Sequence, residues 1–321
     1  MSEHGGNLDA AVARFGGHAR DWIDLSTGIN RQPYPVDALP AACWNALPSR
    51  SAIQSLHRAA QKAYGTEAPI LATHGAQAVI QWLPHLTPRG RMRILNPTYN
   101  EYAAVFAGAG WDVGETSDLD ALAGADLAVV VNPNNPDGKR YQPSQLLALL
   151  PRVGRLVVDE SFVDAVPELS LTPQARRPGL LILRSFGKFF GLAGLRLGFV
   201  IGGEKDVAAL AASAGPWPVS GAAIEIGRRA LPDREWADAT STRLARDCLR
   251  LDAAVAPLGW TLVGGTPLFR LYETSDANLA QEKLARARIW SRVFSYQKGW
   301  LRLGLPGDET EWGRLLAALA G

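Results

Sequence analysis

Short apolar runs recur along much of the chain, at Ile70–Thr73, Met92–Leu95, Leu127–Val131, Arg155–Val158, Leu180–Leu183 and Leu197–Ile201. Stretches with helical spacing lie among them, at Ala76–Leu86, Tyr99–Ala109, Ser144–Leu150 and Lys205–Ala214. Strands that are apolar at nearly every position are covered on both faces, and the connecting helices supply that cover. The pattern therefore predicts an α/β fold whose mainly parallel sheet is covered by helices. Beyond Pro216-Trp217-Pro218 the pattern changes. One long helix is predicted from Gly221 to Ala256, ended with the help of Pro257. Strands at Trp260–Val263 and Leu268–Tyr272, a helix at Ala277–Ala287 and a closing strand pair come next, which reads as a smaller α+β unit. The expected division is an N-terminal arm over 1–40 that contributes to the small domain and the site entrance, a large domain over 41–217, and a small C-terminal domain over 218–321.

Composition narrows the functional classes. A chain of 321 residues can form a large domain with a smaller one appended. The formal charge of +2 comes from 33 basic and 31 acidic residues spread along the chain, with no basic block or acidic tail that would point to nucleic acid or a membrane surface. The start, MSEHGGNLDA, lacks the apolar core of a secretory signal, and no apolar run approaches a membrane span. Cys43 and Cys248 lie far apart without metal-ligand spacing, so they read as thiols of a reducing cytoplasm and no metal is expected.

Chemistry gathers where the apolar runs end, as it does at the strand ends of open α/β sheets. Ile70–Thr73 runs into His74-Gly75-Ala76-Gln77, and backbone N–H groups at a helix start suit a phosphate. Met92–Leu95 leads to Tyr99, Leu127–Val131 to Asn132-Pro133-Asn134-Asn135-Pro136-Asp137-Gly138, and Arg155–Val158 to Asp159-Glu160. Leu180–Leu183 leads to Arg184-Ser185-Phe186-Gly187-Lys188. Taken singly, each has a structural explanation as a turn, a helix start or a cap. Together they occupy equivalent ends of one sheet, which chance rarely arranges. Lys188 adds an oddity, because its ammonium lies in RSFGKFFGLAGLRLG among small and aromatic residues. Gly191, Gly194 and Gly198 do not form a dinucleotide fingerprint.

A lysine, a carboxylate, an asparagine, an aromatic ring and an anion-binding helix start are what pyridoxal 5'-phosphate requires. Their order resembles the fold-type I aminotransferase superfamily over nearly the whole chain, with SFGKFFGLAGLRLG similar to its lysine segment and NPNNPDG to its asparagine loop. The resemblance implies that Lys188 forms a Schiff base with the cofactor, its amine kept neutral by Phe189, Phe190 and the cofactor itself. It implies that Asp159 pairs with the pyridine nitrogen, Asn135 with the ring oxygen and Tyr99 with the ring face. Ser185, Arg196, Gly75, Ala76 and Gln77 would hold the phosphate. Arg302, in Trp300-Leu301-Arg302-Leu303-Gly304, matches the arginine that grips a substrate carboxylate, its alternative being a strand-edge charge. Superfamily members are homodimers with active sites at the interface. Phe162 stands where many relatives carry a tyrosine, and Leu47-Pro48 where a partner-subunit tyrosine is usual.

DLSTGIN, GPWPVSGAA, GGTPLFRL and WSRVFSYQKGWLRLGLPG resemble the cobalamin-pathway threonine-phosphate decarboxylases, a branch close to the histidinol-phosphate aminotransferases. That branch implies loss of CO2 from O-phospho-L-threonine, giving (R)-1-aminopropan-2-yl phosphate. Transamination breaks the C–H bond at Cα, whereas decarboxylation breaks the bond to the carboxylate. A carboxylate gripped by a flat arginine pair is retained, so the expectation is that the substrate phosphate occupies Arg302, helped by Arg292. For Arg292 the alternative is a solvated charge. Asn30 falls where relatives line the substrate site, with a plain turn residue as its alternative, and His74 is either a neighbour of the cofactor or a packed neutral histidine. Aminotransfer on histidinol phosphate or an aromatic amino acid is the second reading. A catalytically silent sensor or scaffold is the third, and the absence of a DNA-binding module ahead of the large domain weighs against it.

Overall fold

The structure, a computed structural model, describes residues 5–321. After a two-residue strand, β1 (Ile23–Asp24), come β2 (Ile70–Thr73), β3 (Arg91–Leu95), β4 (Asp112–Thr116), β5 (Leu127–Val131), β6 (Leu156–Asp159), β7 (Leu180–Ser185) and β8 (Gly198–Gly202). Strands β2 to β8 form a seven-stranded sheet in the order β2-β8-β7-β6-β5-β3-β4. All run parallel except β8, which is antiparallel to both its neighbours. Strands β5, β6 and β8 are buried at every position, in keeping with sequences that carry no polar side chain except Asp159 at the end of β6. The mostly polar β4, DVGET, forms the exposed edge and has no counterpart in the sequence-based reading.

One face of this sheet builds a core from Leu71, Met92, Val129, Val157 and Leu183 with Val79, Ile80, Tyr102 and Phe106 from the covering helices Ala76–Trp82 and Glu101–Gly108. The helix predicted to reach Leu86 tightens at Leu83–His85, where Pro84 cannot donate the next α-helical hydrogen bond. The single helix expected from Gly221 to Ala256 is two, Gly221–Ala230 and Arg234–Val255. Pro232 ends the first, and the Asp233 carboxylate accepts from Trp236 N at 3.0 Å to start the second. Because β8 is antiparallel, it begins where β2 and β7 end, with Gly198 opposite both Thr73 and Ser185. The loop before β8 is thereby delivered to the carboxyl edge of the parallel strands.

Two compact units divide the chain. The larger comprises Tyr34–Asn135 and Arg140–Ala237 and contains the seven-stranded sheet. Its limit at Ala237 lies inside the helix Arg234–Val255, later than the 217/218 division expected from sequence. The helix Gly221–Ala230 stays with the larger unit because its face of Ala222, Ala223, Ile226 and Gly227 packs on the helix Arg50–Ala63. The smaller unit takes the chain up to Pro33, Pro136–Lys139 and Asp238–Gly321. Its antiparallel sheet contains β9 (Thr261–Thr266), β10 (Phe269–Glu273), β12 (Arg292–Phe294) and β13 (Gln297–Gly304) in the order β12-β13-β10-β9, while β11 (Ile289–Trp290) pairs parallel with β1. The helices Ala277–Arg286 and Glu309–Ala320 complete this unit. Among the described residues no helix is long and apolar enough to cross a membrane.

Candidate active site

A cavity of about 180 Å³ opens at the carboxyl edge of the large sheet. Asp159, the last residue of β6, lines it at 4% exposure. Its Oδ1 accepts from Ser161 N at 2.9 Å and from Ser161 Oγ at 2.5 Å, and its Oδ2 accepts from Tyr102 Oη at 2.8 Å. Burial raises the Asp159 pKa above the ordinary carboxylate range, while these donors and the Lys188 charge pull it back down. Three directed donors on a carboxylate with so little access to water fix its orientation and favour its ionised form.

Lys188 comes after β7 in the short helix Phe186–Phe189 and lines the same cavity. Its Nζ lies 5.7 Å from the centre of the Phe162 ring. Apolar lining comes from Phe162, Ile80, Val131 and Leu197. Phe189 and Phe190, expected to desolvate the lysine, also pack in an aromatic cluster. Phe190 stacks between Phe186 at 4.2 Å and Trp236 at 5.5 Å, and Phe189 meets the Trp236 ring edge-on. Phe162 is an apolar neighbour of the amine that the expectation did not include.

The asparagine loop separates into structural and lining members. Asn132 exchanges hydrogen bonds with the Tyr141 backbone at 3.0 and 2.9 Å, and Asn134 binds Thr98 Oγ1 and Pro97 O. Asn135 lines the cavity. Tyr99 lines it too, with its hydroxyl 3.1 Å from Gln77 Oε1, and Gln77 Nε2 donates to Glu101 at 3.0 Å.

Towards β2 the lining becomes an anion cradle of Gly75, Ala76, Gln77, Ser185 and Arg196. Gly75 has φ +85, and a Cβ there would stand 2.9 Å from Arg196 Nη2, so glycine serves both conformation and space. A Cβ on Gly198 would fall 2.5 Å from Ala76 N and obstruct the helix start. Arg196 itself is left-handed at φ 54, a conformation that costs an L-residue about 1 kcal/mol. That turn aims its guanidinium at Gly75. His74 is exposed, with its ring edge-on to Trp82 at 5.4 Å, and is absent from the lining.

The remaining predicted residues belong to the smaller unit. Arg302 on β13 and Arg292 on β12 are register partners. Arg302 is 3% exposed, its Nη2 donates to Ser26 O at 2.7 Å, and its guanidinium lies 4.8 Å from the Phe269 ring centre. Burial, then repulsion from Arg292, lowers its pKa to about 9. Asn30 is buried, and its Oδ1 accepts from Arg243 Nη2 at 2.7 Å and from Gln32 N at 3.0 Å. The structure thus brings Lys188, Asp159, Asn135, Tyr99, Gly75, Ala76, Gln77, Ser185 and Arg196 to one cavity, and pairs Arg302 with Arg292 on neighbouring strands.

Residues 21–319 match the family described as aminotransferase class I and II. The chain belongs to this family. It is 45% identical to a threonine-phosphate decarboxylase of Sinorhizobium sp. over 99% of this chain and 97% of that protein. It is 42% identical to a threonine-phosphate decarboxylase of Pseudomonas aeruginosa over 100% of this chain and 98% of the relative. In fold it is similar to the histidinol-phosphate aminotransferase of Sinorhizobium meliloti, solved in complex with pyridoxal-5'-phosphate. That likeness has a TM-score of 0.81 at 19% identity and covers 99% of this chain and 94% of that one.

Sequence reasoning within the aminotransferase pattern missed Tyr102 and Ser161, the two donors to Asp159. Tyr102 sits three residues after Tyr99 on the helix Glu101–Gly108, and nothing local marks which carboxylate its hydroxyl will meet. Ser161 carried a better signal, since a serine two residues after a buried aspartate can return both its N–H and its O–H to that carboxylate.

Proposed function

We infer that this protein is a pyridoxal-phosphate enzyme that decarboxylates O-phospho-L-threonine to (R)-1-aminopropan-2-yl phosphate. The single observation that carries the reading is identity of 42 to 45% to threonine-phosphate decarboxylases over essentially the entire chain. The cavity residues fit the cofactor on physical grounds. An anion cradle that a single Cβ at Gly75 would crowd suits a phosphate, and a carboxylate held by three donors suits a ring nitrogen. When bound, the cofactor supplies an electron sink for the bond broken at the substrate's α carbon.

This chain's residues would do the rest. Gly75, Ala76, Gln77, Ser185 and Arg196 hold the phosphate, and Asn135 and Tyr99 the ring. Asp159 keeps a proton on the ring nitrogen by remaining ionised beside it, which Tyr102 and Ser161 favour. Lys188 would offer the amine that anchors the cofactor and would supply a proton to the substrate's Cα after CO2 has left. Arg302, with Arg292 beside it, holds the substrate phosphate, since two guanidiniums suit a dianion. The carboxylate is then left ungripped and able to depart. Asn30 belongs to the substrate side by the same reading, positioned through Arg243.

The same inference makes the protein a cytoplasmic homodimer of the cobalamin pathway. Exposed Trp44 at 70% and Trp217 at 55% support an interface on the larger unit, where the helix Ala42–Asn45 packs on the helix Gly221–Ala230. Incubation with O-phospho-L-threonine and no 2-oxo acid acceptor tests the reaction. CO2 and amine should appear in equal amounts over many turnovers. Conversion of the cofactor to its amino form without CO2 would establish aminotransfer instead.

A further inference from the structure

Alternation along β6 and β7 sends chain neighbours to opposite faces of the sheet. Asp159 and Ser185 line the cavity, whereas Glu160 and Arg184, one residue away from each, enter a buried ionic network on the other side. Arg184 Nη1 lies 3.2 Å from Glu160 Oε2, and Nη2 donates to Asp164. The guanidinium also stacks 4.1 Å above the Tyr64 ring. Glu160 is 0% exposed, and its carboxylate accepts from Ser170 Oγ and Leu171 N, each at 2.6 Å. Between Glu160 and Asp164 lie Ser161, which holds Asp159, and Phe162, which faces Lys188.

We propose that Arg184 is a positioning residue: through Glu160 and Asp164 one buried guanidinium fixes both ends of the loop that aligns Asp159 and Phe162 with Lys188. The same side chain precedes Ser185 and Lys188, so it ties the two cofactor-facing segments to one point. A bidentate fork can serve both carboxylates at once, which a lysine ammonium cannot do with the same geometry. Burial favours the neutral form of the guanidinium, but the charges of Asp164 and Glu160 and the hydrogen bond to Asp164 prevail and raise its pKa. The guanidinium stays charged throughout the working pH range.

The proposal rests on the cofactor reading of the cavity, and the test separates the two. Wild type, Asp164→Asn and Arg184→Lys are compared by amide hydrogen exchange of residues 160–164 in the cofactor-free protein. Pyridoxal phosphate release, the pH midpoint of the bound cofactor's visible absorption, and kcat and KM are measured alongside. Asp164→Asn should speed exchange in the loop, hasten cofactor release about tenfold and shift the pH midpoint. It should also lower kcat by on the order of 100-fold with little change in KM. Arg184→Lys should fall between, because one of its two pairs survives. If both variants melt lower but keep the wild-type release rate, pH midpoint and kcat, the network is structural only and the proposal fails. Unfolding of Asp164→Asn, which leaves the Glu160 pair intact, would count against it equally. Should wild type gain no visible absorbance with pyridoxal phosphate, and borohydride fix no label on Lys188, the cofactor reading itself falls.

Discussion

In the larger unit Asp159 is buried against two hydroxyls and the charge of Lys188, whereas in the smaller unit Arg302 is buried beside a second guanidinium. The first arrangement sets donors and an opposite charge against the cost of burial before any ligand arrives, although burial still keeps the pKa raised. In the second, burial and a like charge both act against the ion, and the Asp24 charge only partly offsets them. Elsewhere the smaller unit pairs half-buried arginines with carboxylates, as in Arg243 with Asp247 and Arg270 with Asp252. A site prepared with its counter-charges suits a permanently held cofactor. A site where two guanidiniums repel each other suits an anion that comes and goes, since binding then relieves a repulsion already present.

Breaking the first half of the comparison should have the largest effect. Asp159→Asn removes the ion that favours a protonated ring nitrogen, and kcat should fall by several kcal/mol in transition-state terms, about 1,000-fold. Stability should respond oppositely. A carboxylate whose folded pKa is raised contributes stability only below its unfolded pKa and loses it as pH rises through the folded value. Melting curves of the cofactor-free proteins from about pH 4 to pH 8 should thus shift progressively in favour of the variant as pH increases. A constant offset across that range would mean that Asp159 is not ionised against burial. Near-normal turnover would make it a structural carboxylate.

The second half is tested at Arg302. Arg302→Ala should cost roughly 3 kcal/mol in kcat/KM with O-phospho-L-threonine, about 100-fold, because the substrate's phosphate loses its buried partner. Threonine lacks that phosphate, so its already poor turnover should hardly change. Equal losses on both substrates would place the carboxylate at Arg302 and favour aminotransfer.

The parts of this arrangement that are legible without the structure are those carried by contiguous sequence. Unbroken apolar runs mark β2, β5 and β6, and the polar residues just beyond the runs point to Asp159, Asn135 and Lys188. The hidden parts depend on three-dimensional register. Tyr102 can be assigned to Asp159 only once the helix Glu101–Gly108 is packed on the sheet, and Glu160 and Arg184 only once β6 and β7 are paired. The break at Pro232 has a signal in the proline itself, but amphipathic spacing on either side outweighs one proline. The edge strand β4 escapes for the opposite reason, since its mixed polar composition carries little strand signal.

The smallest effect sharpens the comparison within the larger unit, at a half-buried group kept neutral instead of being paired. His57 Nε2 accepts from Ala72 N at 3.1 Å, a bond only the neutral imidazole can make at that nitrogen, and burial lowers its pKa to about 4. For a base with a depressed folded pKa, the stabilising contribution is fully present above the unfolded value near 6.5 and is lost as pH falls through about 4. Protonation then removes the acceptor and places a charge beside β2, with no carboxylate prepared to meet it. His57→Gln offers a carbonyl oxygen that accepts from the same N–H but does not titrate. The variant should match wild type at pH 8 and lose less stability than wild type on acidification, by on the order of 1 kcal/mol near pH 4. Chemical denaturation at a series of pH values measures the difference. Identical acid limbs would show that the carboxylates alone set the low-pH stability of this unit, and that keeping His57 neutral contributes nothing to it.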